Sequence, residues 1–291
     1  MKLKDIKYKF YIESKTLEYR LLNKFKPNYG LNPSPATPPL IISLTTHGKR
    51  IHQAYIAIES LMQQQVKADK IILWVGKKEC SNMQIPHSLK LLQERGLNLE
   101  FVDQDIGPAT KLIYCLQKHP DSTIITCDDD IIYPKYFIRD IVSAANRFPH
   151  SIIGYRCAWI EIHNQLVLPY LQWRPSKQQA PSILNFPTGT SGVLYPPKSL
   201  HAEILNVNNL LKLAPTADDI WFKAMAILNN TKTAMTYPYY IEFPTVRNTQ
   251  DYALFRTNNR IFENSDNKLC PNDVQLKNVF NHYDLYNKLA D

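Results

Sequence analysis

From residue 40 onward, short apolar runs alternate with segments whose apolar residues recur every three or four positions. Residues 40–46 (LIISLTT), 70–76 (KIILWVG), 97–102 (LNLEFV) and 123–126 (TIIT) each read as a short strand, the last through its β-branched Ile124 and Ile125 and its threonines. Between the first two, Ile51, Ala54, Tyr55, Ile58, Leu61 and Met62 fall on one helix face. Residues 86–95 read as a helix ending at Gly96. Gly107-Pro108 opens another that runs to about residue 119, with proline at a natural first helical position. A further helical pattern begins at Pro134. Strands alternating with helices predict a mostly parallel sheet with right-handed crossovers.

After residue 150 the pattern changes. Residues 151–155 read as a fifth strand, and 158–168 alternate like a hairpin arm. Residues 169–187, rich in Pro and Gln and carrying Tyr170, Trp173 and Phe186, read as a long functional loop. The segment 188–195 (TGTSGVLY) is a glycine-containing turn entering a strand. Residues 217–228 form an amphipathic helix through Ile220, Ala224, Ile227 and Leu228, and 231–243 give short aromatic strands. A polar, Asn-rich stretch (244–272) leads to a final helix over 273–289.

Ahead of this pattern, Leu3, Ile6, Phe10, Leu17, Leu21 and Phe25 recur at helical spacing among eight basic residues between Lys2 and Lys26. Such a helix either lies on an anionic membrane face or docks its apolar stripe on its own domain. Five prolines in 27–39 make a stiff connector. The chain thus divides into an extension (1–39) and an α/β domain (40–291), the latter with halves 40–150 and 151–291.

A net charge of +8 over 291 residues favours anionic partners. No nucleic-acid-binding motif accompanies it, so nucleic acid is not expected. The five cysteines are scattered without a CxxC pair, which signals neither a zinc site nor a disulfide framework and suits a reducing compartment. No apolar run is long enough to span a bilayer and no signal-peptide core is present, so a cytoplasmic protein is expected.

The chemistry concentrates where the fourth strand runs into Asp128, Asp129 and Asp130. Three adjacent carboxylates repel one another, and hard oxygen ligands at the carboxyl end of a strand suit Mg²⁺ or Mn²⁺ bridging to substrate phosphates. Thr45, Thr46 and Arg50 follow the first strand at the same sheet edge, placed to contact a base, ribose or phosphate. Lys111 adds charge to a helix start whose free N–H groups attract anions; the plain alternative is an exposed lysine. Asp218 and Asp219 open a helix behind Thr216, which reads as its N-cap. As helix neighbours they point about 100° apart, so only one is expected to face a substrate. Trp159, Tyr170 and Trp173 suit either sugar stacking or core packing. His282 reads as a surface residue, with metal ligation as its functional alternative.

A strand ending in Asp-x-Asp at the close of a βαβα half resembles glycosyltransferases of the GT-A fold. So do the opening strand LIISLTT, the TGTSGVLY turn and an acidic helix start roughly ninety residues beyond the Asp-x-Asp. The likeness covers residues 40–242. It implies a GT-A-like α/β domain, a mostly parallel sheet flanked by helices, with a basic N-terminal helical extension. It implies that Asp128 and Asp130 hold a divalent cation (Mn²⁺ or Mg²⁺) against the diphosphate of a nucleoside diphosphate sugar, with a UDP-sugar favoured. Asp129 would be a further ligand or a ribose contact. Thr45, Thr46, Arg50 and Lys111 would bind the nucleotide. Asp219 would be the general base, and Asp218 a helix-end or acceptor contact. The overall look is that of bacterial enzymes building lipopolysaccharide or capsule, acting on a glycan or lipid-linked glycan and peripheral on the inner face of the plasma membrane. The same sheet and metal also suit a nucleotidyltransferase acting on sugar phosphates, or a carbohydrate-binding module with a structural metal.

Overall fold

The computed structural model describes residues 3–25, 30–80, 84–247, 249, 255–261 and 269–289. Lys2, Lys26, residues 27–29 of the connector, and 250–254 and 262–268 of the polar stretch lie outside the described residues. After helix α1 (Leu3–Phe25), strands and helices alternate through the first half: β1 (Leu40–Thr45), α2 (Ala54–Met62), β2 (Lys70–Gly76), the single turn α3 (Lys77–Cys80), α4 (His87–Gln93), β3 (Leu97–Val102), α5 (Thr110–Lys118), β4 (Thr123–Asp128) and α6 (Phe137–Arg147). The second half has shorter strands: β5 (Ile152–Gly154), β6 (Cys157–Trp159), β7 (Ile162–His163), β8 (Leu166–Val167), β9 (Arg174–Pro175), β10 (Asn185–Pro187), β11 (Val193–Tyr195) and β12 (Thr233–Met235). Its helices are α7 (Val207–Leu213), α8 (Asp218–Leu228), α9 (Phe255–Asn258) and α10 (Pro271–His282).

Seven strands form the main sheet in the order β12-β5-β11-β4-β1-β2-β3. Every pairing is parallel except those of β11, which runs antiparallel to both β4 and β5. The mostly parallel sheet flanked by helices read from the alternation is therefore the architecture found. Its central strands are apolar on both faces because each face is covered. Ile41 and Ile124 join a core with Leu112 and Ile113 of α5 and Trp221 of α8. Ile42, Leu44, Ile125 and Cys127 point the other way, toward Ile58 of α2 and Phe137 of α6. Among the described side chains, four cysteines are free and buried.

Several boundaries differ from the sequence reading. α6 starts at Phe137 because the Pro134 carbonyl accepts the Phe137 N–H at 3.0 Å, closing a turn first. The alternating 158–168 splits into the end of β6 and a separate β7–β8 hairpin, turned by Asn164 and Gln165 at positive φ. In 231–243 only β12 is a strand, and the tyrosines after it lie in a loop. The final helix ends at His282, followed by a 3₁₀ turn over Tyr286–Lys288.

α1 also differs. Of the two readings of its apolar stripe, docking on the domain is not found: from Ile6 to Phe25 the stripe is exposed. The helix docks through another face, where Tyr19 packs with Ile56, Ile132 and Val246 and the Asn23 side-chain amide donates to the Ser88 carbonyl at 3.1 Å. That face mixes Ile12 and Leu22 with Tyr19 and Asn23, a weaker pattern than the outward stripe.

β11 enters the sheet through Gly192, at φ +90, where a Cβ would lie 2.6 Å from the Phe137 ring. Phe137 stacks on Tyr155 at 5.3 Å and meets Phe243 edge-on at 5.9 Å, so the ring has nowhere to retreat. Gly192→Ala is expected to cost about 1–3 kcal/mol through backbone strain and overpacking, read as a lowered midpoint in urea melts. An unchanged midpoint would contradict this packing.

Candidate active site

Parallel pairing sets Thr45 opposite Asp128, so the turns after β1 and β4 leave the sheet side by side. That is the sheet edge at which open α/β folds bind ligands. The Asp128 N–H donates to the Tyr133 hydroxyl at 2.8 Å, which fixes the turn carrying the three aspartates. Their side chains then part. Asp128 accepts from Lys111 Nζ at 2.7 Å. Asp129 is buried and accepts from Thr46 Oγ1 at 2.5 Å and from the Arg50 guanidinium. Asp130 lies 2.8 Å from the same Arg50 Nη2.

These groups line one wall of a cavity of about 520 Å³, through Arg50, Lys111, Asp128 and Asp130. Asp218 and Asp219 from the start of α8 line the cavity too. Lys111 joins the two groups, with Asp218 Oδ2 3.8 Å from its Nζ. The Gly189 N–H donates to Asp219 Oδ1 at 2.9 Å. No side chain at Gly189 would be comfortable, since a Cβ would lie 3.1 Å from Asp219 Oδ1 and 3.3 Å from Lys111 Nζ.

The electrostatics sort the carboxylates. Burial alone would raise Asp128, but Lys111 beside it holds it below its ordinary value. Burial, with the charges of Asp128 and Asp129, pushes Asp130 up to about 7 despite Arg50. Burial and the neighbouring Asp218 push Asp219 up to about 8, against Lys111 and the Gly189 N–H. Burial also raises Asp218, with Lys111 opposing. Lys111 is itself held charged by Asp128 and Asp218, which outweigh its burial.

Several expectations are corrected here. Asp218 and Asp219, the first two residues of α8, both line the cavity. Thr216 is not the N-cap: Ala217 holds that position, and the Thr216 hydroxyl is 2.9 Å from Asn258 Oδ1 and bonds the Gln275 side chain at 3.0–3.2 Å. Lys111 is not an exposed lysine but a buried counter-ion. The N–H groups at its helix start are partly taken, Gly107 by Asp105 and Ile106 by Thr110.

Thr45, Thr46 and Asp129 stand behind the cavity wall. Thr45 donates to the Trp74 carbonyl at 3.2 Å, while Thr46 and Asp129 satisfy each other. Tyr170 and Trp173 line the cavity and pack together with Phe186, whereas Trp159 does not line it. His282 is exposed at the end of α10, edge-on to Tyr283, and does not line the cavity.

The sequence reading missed Arg156 and Glu242. Arg156 stacks on Tyr240 at 4.7 Å, donates to Thr188 Oγ1 at 2.8 Å, and lies 3.9 Å from Glu242 through its Nε. A signal was present: Arg156 sits two residues beyond a short apolar strand, and β5 runs in the same direction as β4.

No family model matches this chain, and no curated protein matches it. Solved structures do. TarS 1-349 from S. aureus in complex with UDP is 14% identical, with 68% of this chain and 57% of that one covered and a TM-score of 0.46. The mannosyltransferase PcManGT from Pyrobaculum calidifontis, in complex with GDP-Man and Mn²⁺, is 11% identical over 79% of this chain and 64% of that one, with a TM-score of 0.42. A CMP:2-keto-3-deoxy-manno-octonic acid synthetase complexed with CTP is 10% identical over 72% and 92%, with a TM-score of 0.41. This chain thus spans little more than half of the TarS fragment's 349 residues, at 57%. All three TM-scores fall below 0.5.

Proposed function

We propose that this chain is a metal-dependent glycosyltransferase of GT-A type, moving a sugar from a nucleoside diphosphate sugar, a UDP-sugar for preference, to a hydroxyl of a glycan or lipid-linked glycan acceptor. One observation carries the reading. One cavity brings two carboxylates from the end of β4, Asp128 and Asp130, together with a third acid, Asp219, whose proton is held to about pH 8.

The residues present fit a divalent cation. Asp130 stays crowded by Asp128 and Asp129 even beside Arg50, so added positive charge relieves it. Mg²⁺ and Mn²⁺ take one or two carboxylates and fill the remaining positions with water and substrate phosphates, so two carboxylates at the end of β4 are enough. Asp128 and Asp130 would hold the ion, which when bound neutralises charge on the departing diphosphate. Arg156, whose Nε lacks a hydrogen-bond partner among the described residues, adds a donor on the same cavity.

Asp219 serves as the base. In its ionised form it accepts the proton of the acceptor hydroxyl as that oxygen bonds to the anomeric carbon. The bond from that carbon to the diphosphate oxygen breaks, and its electron pair leaves with the diphosphate. Gly189 fixes Asp219 through its N–H, and Tyr170 and Trp173 give the cavity an aromatic wall for a sugar ring. An acceptor of the lipopolysaccharide or capsule kind suits this reading.

The test is incubation with UDP-sugars and Mn²⁺, with product analysis. Slow release of nucleoside diphosphate is expected, abolished by EDTA and restored by added Mn²⁺. Full activity in EDTA removes the metal from the reading. Release of pyrophosphate makes the chain a nucleotidyltransferase instead, and tight sugar binding without turnover makes it a binding module.

A further inference from the structure

The two sides of α1 have opposite surroundings. One carries Ile12, Tyr19, Leu22 and Asn23. Tyr19 is 2% exposed on this side, over Ile56, Ile132 and Val246. At about 100° per residue, Ile6, Phe10, Leu17, Leu21 and Phe25 fall on the far side of the helix. Their exposures run from 45% to 72%. A helix that only needed to dock would present polar residues there.

The charge around this outward stripe is basic. Lys9, Arg20 and Lys24 are exposed, and Lys24 Nζ lies 5.2 Å over the Phe25 ring. The acids Glu13 and Glu18 are already engaged, by Arg247 at 2.8 Å and by Lys15 at 2.6 Å. An apolar ridge edged with cations is complementary to an interface that is apolar beneath an anionic surface.

α1 also runs beside the cavity. Ile132 and Val246, beneath Tyr19, each adjoin a residue that lines it, Ile131 and Thr245, and those two residues bridge each other. Tyr8 lies near enough to Glu242, on the cavity wall, for that charge to add to the effect of burial in raising its phenol. A surface that held the outward stripe would hold the cavity next to it.

We propose that the outward face of α1, from Ile6 to Phe25, beds into the surface of an anionic phospholipid bilayer and keeps the cavity beside the membrane. This docking needs no donor or acceptor, so it stands or falls apart from the sugar-transfer reading.

The full chain would be sedimented with vesicles of phosphatidylcholine and phosphatidylglycerol, and with phosphatidylcholine alone. It is expected to follow the anionic vesicles, less so at raised salt, and to remain largely in solution with the neutral ones. The triple variant Phe10→Ser, Leu17→Ser, Leu21→Ser changes only exposed positions. Its vesicle partition is expected to fall at least about a hundredfold while its melting temperature holds. Should that variant misfold, Lys9→Glu, Arg20→Glu, Lys24→Glu is the second arm, expected to lose binding to anionic vesicles. The proposal is overturned if the wild-type chain ignores anionic vesicles, or if a folded variant of either kind binds them as well as wild type. It is equally overturned if the stripe is covered by a second copy, seen as a wild-type dimer that the triple variant converts to monomer.

Discussion

Asp219→Asn is expected to lower turnover at least about a hundredfold with donor affinity unchanged, the pattern of a contact made in the transition state. In the proposed transfer the acceptor hydroxyl is a poor nucleophile until it sheds its proton, and Asp219 lines the cavity with its Oδ1 accepting the Gly189 N–H at 2.9 Å. Asparagine keeps an oxygen for that N–H, so the geometry survives while the proton acceptor does not. The pH dependence is a second signature. Only the ionised carboxylate accepts a proton, and burial with Asp218 alongside pushes Asp219 up to about 8. Wild-type rate should therefore rise with pH and level off above about 8, and the variant should lack that rise.

Stability moves the opposite way. Unfolded, this aspartate loses its proton near its ordinary 3.8; folded, it keeps it to about 8. Between those values the folded state binds more protons, so ionising Asp219 costs stability as pH rises. The variant is expected to melt above wild type at pH 8, with the gap closing toward pH 4. Near-normal turnover in the variant rules out the base assignment, and a large loss in Asp218→Asn instead moves the role by one residue.

Lys111→Met should be the most damaging single change to folding in this region. The lysine is buried, with Asp128 at 2.7 Å and Asp218 at 3.8 Å. Methionine fills much of the same space but leaves those carboxylates facing each other. Removing one partner of a buried pair commonly costs about 3–5 kcal/mol. Asp128 is held below its ordinary value of 3.8, chiefly by Lys111, so that share of the stability is present above about pH 4 and fades as pH falls further. The deficit of the variant should accordingly be largest at neutral pH and shrink in acid, read from urea melts at both. A deficit below about 1 kcal/mol at pH 7 would mean the pair is solvated like a surface one.

Much of the framework was legible because it rests on local pattern. β1 to β4 stood out as short, largely apolar runs alternating with helical patterns, and parallel pairing then brings Arg50 and the Asp128 turn to one edge. Lys111, Asp218 and Asp219 were likewise visible as charges beside helix starts, and the structure brings them to the same cavity. What stayed hidden depends on partners distant in sequence. Which of three consecutive aspartates turns inward is decided by Thr46 and Arg50, about eighty residues earlier. The fate of Thr216 is decided by Asn258 and Gln275. The docked face of α1 was masked because its buried anchors are a tyrosine and an asparagine, while its most regular apolar stripe faces out.

The bonds from Gln275 to Thr216 have a consequence for the order of synthesis. They fix the turn just ahead of Asp218 from a later helix, α10, with Gln275 made 59 residues after Thr216. A chain still on the ribosome can hold the β4 turn, Lys111 and both acids, yet lack the clamp and the Asn272 side of the cavity. The turn ahead of the acid pair therefore gains these bonds only after α10 has emerged.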